Sequence, residues 1–190
     1  INRFINFFWF VIIIIIPLLL FALRYDIGED YGNYEAMFEL AQSNNTLFHY
    51  YFPDIEIGNQ FLMKLGFWIF GSVTGVFALY SILTLVILML AVLYYQDRIP
   101  LFSAIMITYV LYYPATYNTV RQALAIAIVL FSFRFIEQKK LLHFIVCIIF
   151  AMLFHSTAFI AIPFYFYYNA ETKFNQILEK IIFAGYIFLP

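Results

Sequence analysis

The chain has 190 residues, of which 65% are hydrophobic and 11% charged, with a formal net charge of -1 and a mean hydropathy of +0.91. A soluble domain carries about 25% charged residues, so the composition argues against an ordinary soluble enzyme and predicts an integral membrane protein. No basic arm and no aromatic and basic stripe is present, which gives no reason to expect nucleic acid as a partner.

A helix that crosses a bilayer needs about 20 apolar residues, because about 30 Å of hydrocarbon must be covered with every backbone amide paired internally. Residues 4–23 meet that requirement, with Pro17 as an expected kink. The run lacks the small-residue cleavage pattern of a secretory signal, so it is expected to stay as a helix. It gives way to "RYDIGEDYGNY", residues 24–34, in which Arg24, Asp26, Glu29 and Asp30 crowd together. Residues 24–60 read as an outer loop holding two short helices. One runs from Tyr31 to Ser43, opened by Asp30 and lying in the membrane interface. The other starts at Glu56 in "EIGNQFLMKLGFWIF" and dips in or lies along the surface.

Residues 74–95 form a second good span, ending in tyrosines suited to an interfacial belt. The run 101–113 reaches only about 20 Å before Pro114. A third clear span covers 119–136, followed by 141–154, a short run at 157–168 and a truncated one at 174–190. The chain opens at Ile1 and closes at Pro190 inside that last run, so it reads as a fragment of a longer protein. The expected fold is all-α, a single polytopic membrane bundle with short or broken helices and an extracytoplasmic interfacial helix. Broken helices at membrane depth are tolerated where they are buried in protein or line a wet cavity.

Loop charges orient this stack. Arg98, Arg134, Lys139, Lys140 and Lys173 belong on the cytoplasmic side by the positive-inside rule. The opposite face then gathers residues 24–60, the turn from Tyr112 to Asn118 and the surroundings of His155, a polar cluster drawn from three distant segments.

Within that cluster Thr119 and Gln122 have capping-box spacing, and Asn118, Arg121 and Gln122 fall on one helical face. An arginine at a helix start is ill placed for the macrodipole. It makes sense if an anion such as a diphosphate binds between the guanidinium and the helix amides, or if Arg121 snorkels outward or pairs with an acidic loop residue. His155, at the junction of two apolar pieces with Ser156 or Thr157 as a cap, can exchange a proton with a hydroxyl near neutral pH; a junction histidine satisfied by backbone carbonyls is the alternative. Asp30 and Glu56 each open a helix beside the membrane surface, and either could act as a base or orient Arg121 or Arg24. The remaining acids Asp26, Glu29, Glu35 and Asp54 read as a solvated loop. His49, His143 and His155 lie too far apart in sequence for metal-ligand spacing, and nothing requires a metal or cofactor. Cys147, the single cysteine, reads as a small buried or lipid-facing hydrophobe.

The ordered segments "RYDIGEDYGNY", "EIGNQFLMKL", "NTVRQALAIAI" and "FHSTAFIAIPFY", spanning residues 24 to about 165, resemble the signatures of the EpsG family of bacterial polysaccharide polymerases, related in role to Wzy polymerases. The resemblance implies a multi-pass protein of the bacterial cytoplasmic membrane. It would join oligosaccharide repeat units carried on undecaprenyl diphosphate at the outer face, making exopolysaccharide or capsule. Carried to matching positions, Arg121 binds the diphosphate with help from Arg24, and His155 transfers the proton, with Glu56 second and Asp30 third. Tyr31, Tyr34, Gln122 and Asn118 contact substrate. The expected partners are the lipid-diphosphate-linked oligosaccharide, membrane lipids and other polysaccharide assembly proteins. A flippase or transporter of the same lipid, or a noncatalytic export subunit, would use many of the same groups.

Overall fold

The computed structural model describes residues 3–43 and 55–169, which form eight α-helices and no strand. Expectations at His49, Asp54, Lys173 and 174–190 lie outside the described residues.

Helix α1, Arg3–Ala22, runs continuously through Pro17. After the charged segment come α2, Tyr31–Ser43, and α3, Ile57–Phe70. Gly71 ends α3 in the left-handed conformation (φ 63°), returning its N–H to the Phe67 carbonyl, an arrangement that costs glycine no Cβ clash. Ser72 then caps α4, Val73–Tyr94, by accepting from the Gly75 N–H. Two residues thus reverse the chain. Among the described residues α4 is long and apolar enough to cross a membrane.

The stretch from Leu101 to Tyr117 breaks in three. Helix α5, Leu101–Ile107, widens into a π-helical turn, Thr108–Tyr112, and Pro114 opens a 3-10 turn to Tyr117. Proline lacks an N–H and clashes with the preceding turn; the Tyr113 N–H accordingly reaches back five residues to Thr108 O at 2.8 Å. The break turns two hydroxyls onto other helices, Tyr112 to Ala123 O and Tyr113 to Pro17 O. Helix α6, Val120–Glu137, is followed by α7, Leu141–Met152, a 3-10 turn Ser156–Ala161, and α8, Ile162–Asn169. Cys147 is half-buried in α7.

Helices α4 and α6 run in the same direction. Phe77 and Val120 share one core near their starts, and Tyr94 donates to Glu137 at their far ends. Helix α1 runs opposite to α4, with Ser81 Oγ donating to Leu18 O. The main core brings together Phe21, Tyr31, Tyr34, Leu62, Phe77, Tyr80, Leu124 and Phe154. A second core joins α6, α7 and α8 through Ile136, Phe144, Ile148 and Tyr165.

Candidate functional site

Three segments meet at the end of the bundle where α3 and α6 begin and α7 ends. Glu56 precedes α3 and makes no cap to its own helix. Its carboxylate turns instead toward Arg121 in the first turn of α6, whose Nη1 donates to Oε2 at 2.6 Å. The other oxygen, Oε1, accepts from the Ser156 N–H at 3.3 Å and lies 3.6 Å from His155 Nδ1. The anion that Arg121 requires at a helix start is therefore supplied by the protein itself. All three side chains remain reachable, at 28% (Arg121), 15% (Glu56) and 29% (His155) of full exposure.

Glycine makes the junction possible. The Gly58 N–H donates to Leu153 O at 2.7 Å, and a Cβ on Gly58 would stand 2.5 Å from that same carbonyl oxygen. Any side chain there would push α3 off the end of α7 and carry Glu56 away from His155. Beneath the cluster, fully buried Tyr80 donates to Asn59 Oδ1 at 2.5 Å, and the Asn59 amide points at Met37 Sδ. A tyrosine hydroxyl in an apolar span needs such a partner, and Asn59 stands three residues after Glu56, on the same side of the helix start. Spacing in "EIGNQ" therefore carried a signal for Asn59 and Gly58 that the sequence reading did not use.

Arg24 is built differently. It is 3% exposed, lies 3.9 Å from the Phe77 ring centroid and 4.6 Å from that of Phe21, and donates from Nη1 to Tyr117 O at 2.7 Å. Among the described residues, its Nε and Nη2 have no hydrogen-bond partner. Burial pulls the guanidinium below the ordinary arginine range, against the opposing influence of Tyr34, Tyr117 and Asp30. Gly28, at φ +95°, packs on Tyr117 and Asn118, and Asn118 Oδ1 accepts from the Glu29 N–H at 3.1 Å. The charged segment therefore grips the turn before α6.

Asn118 does not share a face with Arg121, because α6 starts only at Val120 and Asn118 is turned to Glu29. The capping box is absent as well: Thr119 Oγ1 donates backward to Ala115 O at 2.8 Å and caps nothing. Neither Ser156 nor Thr157 caps the turn after α7; His155 stands at its N-cap position without a side-chain cap. Tyr31, stacked on Phe77, and Tyr34 are 5% and 1% exposed, so both rings lie in the core. Burial raises the pKa of the Tyr34 hydroxyl, which lies close enough to Arg121 for its charge to oppose that shift. Asp30 is half-buried beside Arg24, its carbonyl accepting from the Tyr34 N–H. Gln122 is exposed and lines the same groove as His155. Among the described residues no third His, Cys, Asp or Glu joins Glu56 and His155 in a group able to hold a metal ion.

The arrangement offers a forked cation, a carboxylate and an imidazole in contact, partly open to the outside. That set suits an anionic leaving group and a proton transfer. No curated protein and no solved structure matches the chain. The model of the EpsG family matches residues 7–190, nearly the whole chain, and the chain belongs to that family.

Proposed function

We propose that the chain is a multi-pass protein of the bacterial cytoplasmic membrane that polymerises lipid-diphosphate-linked oligosaccharide repeat units into exopolysaccharide or capsule. The end of the bundle holding Glu56, Arg121 and His155 faces outward. The observation that supports this reading is the meeting of those three side chains, drawn from three of the four segments that resemble the family signatures.

In the reaction, the bond between the anomeric carbon and the diphosphate oxygen breaks, and its electron pair leaves with the diphosphate. A hydroxyl of the next lipid-linked unit forms the new glycosidic bond. Its proton goes to His155 Nε2, because Nδ1 faces Glu56. The Glu56 carboxylate orients the ring and stabilises the imidazolium that forms, as a carboxylate does beside a catalytic histidine. Arg121 turns its remaining donors to the diphosphate, where fixed positive charge lowers the barrier. Gln122 meets the sugar beside His155. Arg24, Tyr31, Tyr34, Asp30 and Asn118 act as positioning residues that hold α2 and the turn before α6.

The test uses the full-length protein in vesicles supplied with the lipid-diphosphate-linked repeat unit, read by product length and by transbilayer movement of the lipid. Elongation that disappears in Arg121→Ala and His155→Ala supports a polymerase. Lipid movement without elongation identifies a flippase and removes the catalytic reading.

A further inference from the structure

A groove of about 200 Å³ opens between α6 and the segment from His155 to α8. Its two ends differ in chemistry. Gln122 and His155 form one end, directly beside Arg121 and Glu56. From there it follows the Gln122, Ala125, Ile126 and Val129 face of α6 for about 10 Å, at 1.5 Å per residue. The opposite wall is Ala158, Ile160 and Ala161, and Phe164, which rests on Phe133 with ring centroids 5.9 Å apart, closes the far end. Three alanines create the space, and every lining side chain beyond Thr157 is apolar.

We infer that this groove holds the part of a polyprenyl tail nearest its diphosphate, so that the protein grips its substrate by lipid as well as by phosphate. The inference rests on the proposed function and extends it to a second site. Two observations support the tail of a lipid with an anionic headgroup, and the proposed function makes that lipid a polyprenyl diphosphate. The polar end of the groove is continuous with the only Arg, His and main-chain N–H convergence described at that end of the bundle. The level of the site also fits: α6 rises about 24 Å from Arg121 to Glu137, less than the roughly 30 Å of hydrocarbon in a bilayer. Packing of Tyr80, two turns into α4, against Asn59 likewise sets the cluster below the start of α4. A site sunk below the rim is reached from the side, through the groove, by a diphosphate that arrives on its own lipid.

A photoreactive polyprenyl diphosphate, added to the full-length protein in vesicles, is expected to label Ile126 and Ile160, with labelling competed by unlabelled polyprenyl diphosphate. Ile126→Trp, at a 37% exposed position that lies outside the core, should cut groove labelling at least tenfold. It should raise KM for a long-chain lipid-linked repeat unit at least tenfold, and leave KM for a short-chain, water-soluble diphosphate analogue unchanged. Equal labelling by a phosphate-free polyprenol, competition by ordinary phospholipid, or an equal KM change for both chain lengths overturns the inference. Labelling is read without turnover, so a protein that binds in the groove but never elongates would refute the polymerase reading and leave the groove standing.

Discussion

The protein carries an arginine–glutamate pair at each end of its bundle, both at 2.6 Å, and the two are built differently. At the far end Arg98 and Tyr94 both donate to Glu137, and Gln138 reaches the Tyr94 hydroxyl. That pair links the end of α4 to the end of α6, with the Arg98 side chain 63% exposed. Solvent screens such a pair, and its loss is usually small. At the His155 end the same two residue types are less than a third exposed, and their carboxylate also meets a main-chain N–H and an imidazole. Distance alone does not separate a tie from a site; the company kept by the carboxylate does.

The largest expected effect is at His155. His155→Ala should lower elongation by about 10²–10⁴-fold, the usual worth of a positioned general base, with thermal unfolding in detergent little changed. Arg121→Ala should lower it by about 10²–10³-fold, and Arg121→Lys should recover only part, because an ammonium lacks the guanidinium fork. If both Ala variants elongate normally while Arg98→Ala does not, the two ends have been assigned the wrong way round.

Glu56→Gln sharpens the contrast, since it keeps shape and removes charge. It should reduce elongation by about tenfold or more by loosening the histidine, whereas Glu56→Ala should also cost about 2 kcal/mol of stability from lost charge-assisted hydrogen bonds. Gly58→Ala should cost about 1–3 kcal/mol through overpacking against Leu153 and lower activity as well, because it moves Glu56 from His155. The smallest effect belongs to Arg98→Ala, for which product length and melting temperature should match the parent.

The helices were legible where apolar length is the signal. The short helix from Tyr31 to Ser43 and the one that follows Glu56 start where the charged residues stop, since carboxylates and turn chemistry mark helix entries. Among the site residues, Arg121 announced itself by sitting at the wrong end of a helix, and the acidic loop residue that answers it is Glu56. What sequence could not show is which loop folds back. Gly58 on Leu153 decides that Glu56, and not Asp30, reaches His155, and this contact joins residues nearly a hundred positions apart. The surroundings of Arg24 were hidden for a related reason. A charge at the edge of a span reads as a ligand for phosphate, yet here aromatic rings from α1 and α4 enclose it and its charge serves the turn before α6. The capping box failed because the Thr119 hydroxyl found Ala115 O closer than its own helix.

The most direct measurement of the central claim is product length from the purified full-length protein in vesicles, given its lipid-diphosphate-linked repeat unit, with Arg121→Ala and His155→Ala set beside Arg98→Ala. The account predicts long polymer from wild type and Arg98→Ala and none from the other two. Polymer of equal length from all four proteins would contradict it, and would move the chemistry away from Glu56, Arg121 and His155.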